Sequence, residues 1–186
     1  MSKSKKKVKT PKFKKVSTIR HRLHKIWSGI VRKRSNHKCE LCGRKKGDMG
    51  PNEKPINKID AHHFLSKEIK DCPLKFEILN GGAVCPFCHK FGVPSFHRDP
   101  IRTITWLQEN HPDRYTYVLE NSDVRVDLEN RMVLAEIEKE LKEEKSLDLN
   151  KLKQIEEKFP RKTKTKIEGS LFDPESESSE SSESSD

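Results

Sequence analysis

Apolar residues first recur with helical spacing near the start of the chain. Ile19, Leu23, Ile26, Trp27, Ile30 and Val31 follow one another mostly at steps of three and four, with Arg20, Arg22, Lys25, Arg32 and Lys33 between them. Residues so spaced share one side of a helix, so the pattern predicts an amphipathic helix over 18–34 with a basic outer face. Trp27 reads as a core anchor rather than a base-stacking residue. Over 35–90 the periodicity gives way to turn formers. Residues 101–120 predict one or two short helices interrupted at His111-Pro112. Further on, Leu134, Ile137 and Leu141, then Leu152, Ile155 and Phe159, predict two helices split near Ser146 to Asn150. These could pack on the core, pair between subunits or contact a partner.

Composition narrows this picture. Of 186 residues, 31% are hydrophobic and 37% charged, which is lean for one core of that size. The expectation is a small folded centre with polar arms: a disordered basic arm over 1–17, a central domain over 18–120, C-terminal helices over 121–160, and a disordered Ser/Glu-rich acidic tail over 161–186. The net charge of +10 is uneven, with fifteen Lys or Arg and no acid in residues 1–38. A basic arm of this kind releases counterions from a nucleic-acid backbone; the blander alternative is a solvated tail that aids solubility. No apolar run approaches the roughly 20 residues of a membrane span, and the basic N-terminus lacks the apolar stretch of a signal peptide. The expected location is therefore intracellular, the cytoplasm of a host cell. There thiols stay reduced, and close cysteine pairs favour metal over disulfides.

Residues 35–90 hold all five cysteines and four of the eight histidines. Cys39-Glu-Leu-Cys42-Gly43 and Cys85-Pro-Phe-Cys88-His89 are two CxxC turns. Each aims two thiolates at one point, and together they predict a tetrahedral four-cysteine zinc site with no open position. Such a zinc is structural, standing in for missing apolar core. Cys72 has no partner pair and reads as a small, partly buried residue. Between the turns lie Ile59-Asp60-Ala61-His62-His63-Phe64-Leu65 and Leu79-Asn80-Gly81-Gly82-Ala83-Val84. A zinc knuckle alone needs neither the His pair, nor the Asn, nor the His after the second turn. A one-metal nuclease needs all of these kinds of group: ligands for a divalent ion, a base for water, and something to orient that base.

The pattern resembles the HNH, or ββα-metal, endonuclease family in its form with two zinc knuckles. The run Leu74 to Gly81, and His97-Arg98-Asp99-Pro100 followed by Trp106-Leu107, resemble phage-borne members and recombination endonucleases of the NinG type. The resemblance covers about residues 20–120. It implies a small α+β fold, a ββα-metal core stapled by zinc, and metal-dependent hydrolysis of DNA phosphodiester bonds in phage-type processing, packaging or recombination. It implies that His62 and His89 ligate a catalytic Mg²⁺, Mn²⁺ or Ni²⁺, that His63 is the general base, and that Asn80 orients His63 by a hydrogen bond. Some members have a further His four residues after His89. Here that position is Val93, which leaves His97 as the candidate third ligand. Asp60, two residues before His62, could support it or join the metal shell. Lys67, Lys70, Lys75, Arg98 and Arg102 are candidate phosphate contacts, and Lys67 could also stabilise charge at the reacting phosphate. His21, His24, His37 and His111 read as surface or packing residues, with a phosphate contact the lesser alternative for His21 or His24. The competing readings are a non-catalytic zinc-ribbon protein that binds nucleic acid, and an accessory factor among phage DNA-processing proteins.

Overall fold

The computed structural model describes residues 14–51, 53–92 and 95–161. Most of the expected basic arm and nearly all of the acidic tail lie outside them. Helix α1 (Val16–Arg34) starts two residues before the expected position and ends with Arg32, Lys33 and Arg34, cations that suit the negative end of a helix dipole. Its buried stripe is Leu23, Trp27 and Val31, one residue per turn. Trp27 is fully buried as expected, and its indole Nε1–H donates to the Glu77 carbonyl at 2.8 Å.

Under α1 lies a two-stranded antiparallel sheet. β1 (Asp60–His63) pairs with β2 (Gly81–Val84), with Asp60 opposite Val84 and His63 opposite Gly81. The glycine at 81 is required by packing: a Cβ there would come within 2.3 Å of a Val31 methyl and 2.9 Å of the Trp27 ring. Only a bare backbone lets the strand run this close beneath the helix. After β2 come the second CxxC turn and a single π-helical turn, Phe87–Phe91.

α2 (Pro100–Asn110) and α3 (Pro112–Glu120) meet at His111-Pro112, where the sequence predicted the break. Each carries Pro at its first position, where a missing N–H costs nothing. Asp99 caps α2 by accepting from the Arg102 N–H at 2.9 Å. α4 (Arg131–Lys142) and α5 (Leu149–Lys158) are capped in the same way by Asn130 and Asp148, and the break between them falls where expected.

The C-terminal helices pack on the core. Val133, Leu134, Ile137 and Leu141 of α4 and Leu152 of α5 belong to the buried cluster that holds Leu23, Trp27 and Val31. The expected basic outer face of α1 needs correction. Arg20 pairs with Glu129, Arg22 with Glu138, and Lys33 with Glu144 at 2.6 Å. Much of that charge is neutralised within the molecule. Among the described residues, no helix is long and apolar enough to cross a membrane.

Candidate functional site

Two clusters of metal-ligating side chains flank the second CxxC turn. In the first, the sulfurs of Cys39, Cys42, Cys85 and Cys88 all lie within 4.8 Å of one another. Cys42 Sγ and Cys85 Sγ are 3.9 Å apart. Zn–S bonds of about 2.3 Å in a tetrahedron give an edge of about 3.8 Å, whereas a disulfide would need about 2.05 Å. The four cysteines could therefore hold a zinc ion. Local backbone builds the site. Cys39 N–H donates to the Arg44 carbonyl at 2.7 Å and Gly43 N–H to the Cys39 carbonyl at 2.8 Å. Gly43 has φ of 73°, the left-handed region that a Cβ disfavours. A hydrogen bond with Cys88 holds the Cys39 thiol down to about 5 and pushes that of Cys88 up. Cys72 is buried more completely than the partial burial expected, and does not belong to the cluster.

The second cluster is His62, His89 and His97, with one ring nitrogen of each within 4.8 Å of the others. His89 Nε2 and His97 Nε2 are 3.1 Å apart. Two nitrogens bound to one cation at about 2.0–2.1 Å would be separated by roughly 3.0–3.4 Å. His62 comes from β1 and His89 from the π-helical turn. His97, eight residues on, arrives because the chain doubles back. Phe96 N–H donates to the Cys88 carbonyl at 2.9 Å and His97 N–H to the His89 carbonyl at 3.2 Å. Burial lowers His62 to about 3, and burial also lowers His89, so both rings are neutral near pH 7 and can donate lone pairs.

Asp60 proves to serve His89 rather than His62. Its Oδ2 lies 3.4 Å from His89 Nδ1, and its Oδ1 is 2.9 Å from Lys58 Nζ. A carboxylate at Nδ1 keeps the proton there and turns Nε2 towards His97 and His62.

His63 lies on the same wall. One cavity of about 520 Å³ is lined by His62, His63, His89 and His97 together with His24 and Lys67. The His63 ring stacks on Trp27, with centroids 3.8 Å apart and planes 12° apart. Its Nε2 lies 3.0 Å from the Lys75 carbonyl oxygen. A carbonyl can only accept, so Nε2 carries the hydrogen and Nδ1 keeps its lone pair. Burial lowers this ring to about 4, with the charges of Lys67 and Lys75 acting in the same direction.

Asn80 does not touch His63, contrary to the expectation from the resemblance. It is fully buried, its Oδ1 accepts from Leu65 N–H at 2.7 Å, and its Nδ2 donates to the carbonyls of Leu65 at 3.1 Å and Leu74 at 2.9 Å. It closes the loop between β1 and β2. That loop in turn presents the Lys75 carbonyl, which takes the orienting part expected of Asn80.

The candidate phosphate contacts divide. Lys67 lines the histidine cavity, and Arg98 follows His97 directly. Lys70 is exposed but off that wall, and Arg102 lines a neighbouring cavity. Lys75 is half-buried with its ammonium disfavoured by burial, and its backbone oxygen makes the contact that matters. The sequence reads His24 as a surface or packing residue and does not single out Lys90; both line the wall. His24 stood one turn before Trp27 on the predicted helix, a signal that could have placed it there.

A charged group of residues fixes the floor. Arg114 of α3 donates to the Gly81 carbonyl and, at 2.9 Å, to Glu40 between the first pair of cysteines. Glu40 Oε1 accepts from the Ala83 N–H at 3.1 Å. Burial opposes the Glu40 charge, but Arg114 and Arg34 beside it hold its carboxyl below the ordinary range. The first CxxC turn, β2 and α3 are thereby tied together. His111 joins this group, 3.8 Å from Glu40. Compared with known proteins, the chain matches no family model, no curated protein and no solved structure.

Proposed function

We propose that the chain is a metal-dependent endonuclease of the HNH type, cutting the phosphodiester backbone of DNA. The observation that carries this reading is the convergence, on one cavity wall, of His62, His89 and His97 with a separate histidine, His63, whose Nδ1 makes no hydrogen bond among the described residues. A site built only to hold a metal for folding has no use for His63. The imidazole set fits a divalent transition ion or zinc by donor chemistry, and the open cavity leaves room for substrate beside it. A cation held by His62, His89 and His97 would supply positive charge to the scissile phosphate and the leaving oxygen.

The chain's own part is as follows. The Lys75 carbonyl and the Trp27 face hold the His63 ring, so that Nδ1 takes a proton from water as the water oxygen attacks phosphorus. The bond from phosphorus to the 3′ oxygen breaks, and that oxygen gains a proton from solvent. Lys67, Lys90 and Arg98 form no ion pair among the described residues. On α1, Arg20, Arg22 and Lys33 are neutralised by acids of the C-terminal half, whereas Lys67 and Lys90 on the wall of the histidine cavity form no ion pair among the described residues. Bare cations beside the histidines favour a polyanionic ligand at this face.

The test is incubation of purified protein with supercoiled plasmid and Mg²⁺, Mn²⁺ or Ni²⁺, beside His63→Ala of equal zinc content. Nicked or linear product from the parent alone is expected. No product with any of these metals, or equal cutting by the variant, would overturn the reading. Metal-independent retention of DNA by both would favour a zinc-ribbon binder, the reading that basic charge and the cysteine pairs alone would allow.

A further inference from the structure

A second cavity, of about 580 Å³, lies between the first CxxC turn and α2. That is within the roughly 300–1,000 Å³ typical of small-ligand sites. It shares Phe96 and Thr103 with the histidine cavity, so the two open on either side of the segment that carries His97 and the start of α2. Phe87, Phe96 and Trp106 supply aromatic surface, and Leu41 supplies more apolar surface. Trp106 is only partly buried, its ring packed 5.4 Å from Phe96. Arg44 and Arg102 also line the cavity, and neither guanidinium forms an ion pair among the described residues. Of the carboxylates present, Asp99 is engaged in capping α2. Glu109 stands at the far end of the same helix face, where it repels phosphate and leaves the Arg102 end as the side a backbone would follow.

We propose that this cavity receives an unpaired nucleobase of the strand held at the histidine site, stacked on Trp106, with its flanking phosphates on Arg44 and Arg102. This rests on the nuclease reading above and names its substrate: DNA with unpaired nucleotides beside the cut, such as a gap or flap, rather than perfect duplex. Aromatic faces accept any base, so the site discriminates strand structure and not sequence.

The test uses full-length His63→Ala protein, zinc-loaded and without added divalent cation, so that nothing is cut. Fluorescein-labelled perfect duplex and the same duplex with a three-nucleotide gap are titrated and followed by anisotropy at fixed salt. Gapped DNA is expected to bind about tenfold tighter, in line with the worth of one stacked base. Trp106→Ala should remove that preference and Trp106→Phe should keep most of it, with duplex affinity unchanged. Thr105→Glu, an exposed helix position on the cavity wall, should also remove the preference with no change in thermal unfolding or zinc content. Equal binding of both DNAs by the parent overturns the proposal, as does a preference that survives both Trp106→Ala and Thr105→Glu. Failure to bind either DNA sinks the nuclease reading as well. Loss of the gap preference alone leaves that reading standing.

Discussion

His63 and Asp60 show how much depends on which ring nitrogen is free. On His63 the Lys75 carbonyl claims Nε2, so under the nuclease reading Nδ1 is the nitrogen proposed as the base. Replacing His63 by Ala should lower the cleavage rate by about 10²–10⁴, the usual worth of a positioned base, with zinc content unchanged. On His89 the roles of the nitrogens are reversed, because Asp60 claims Nδ1 and leaves Nε2 for a cation. Asp60→Asn should weaken binding of the divalent ion at the three histidines by about 10–100-fold, as losses of such outer partners do. Isothermal titration with Mn²⁺ or Ni²⁺ would read this directly. An unchanged affinity would mean that Asp60 merely pairs with Lys58.

At the scale of elements, the loop between β1 and β2 is held by two buried polar side chains. Asn80 satisfies three backbone groups, and Ala in its place strands them. The expected cost is about 2–4 kcal/mol, read from denaturant unfolding. Cleavage should fall with it, because the same loop carries the Lys75 carbonyl. The second residue is Glu77, fully buried, which accepts from Leu79 N–H at 2.9 Å and Leu147 N–H at 2.8 Å. It fastens the approach to α5 onto the site loop. Burial raises its pKa above the ordinary 4.5, and the hydrogen bonds offset this only in part. The native state therefore binds this proton more tightly than the unfolded chain does. Its contribution is greatest at low pH and declines as pH rises through the raised folded value. The stability of the parent minus that of Glu77→Gln should grow as pH falls through that window. A difference flat in pH would show that Glu77 titrates as it does in the unfolded chain.

At the scale of the whole molecule, charge is sorted by destination. Acids of the C-terminal half take up Arg20, Arg22 and Lys33, while Lys67 and Lys90 on the histidine cavity, and Arg98 next to His97, form no ion pair among the described residues. Surface pairs of this kind add little stability, so under the nuclease reading their main effect would be on where a polyanion settles. Under the nuclease reading, the lysines ahead of α1 would be a separate source of affinity for DNA. Residues 1–13 contain six of them, at 3, 5, 6, 7, 9 and 12. Deleting that segment should flatten the plot of log affinity for DNA against log salt by up to about 5, with cleavage at low salt retained. An unchanged slope would show that this arm does not touch DNA.

Local signals in the sequence determined a good deal. Apolar spacing marked out α1, the paired CxxC turns the thiolate cluster, and His111-Pro112 the break between α2 and α3, because each depends on residues within a few positions of one another. The histidine cluster was legible in part, since His62 and His89 sit in a recognisable spacing. Other features needed the tertiary structure. His97 was named from the sequence as the candidate third ligand, but the chain reversal along the second CxxC turn that brings it to His89 was not legible there. Asp60 faces His89 and not its near neighbour His62. A backbone carbonyl, invisible to any motif, orients His63 in place of Asn80. The basic face of α1 turned out to be largely spent on the protein's own acids. Contacts between residues that are distant along the chain are set by how elements pack, and nothing in local spacing records that.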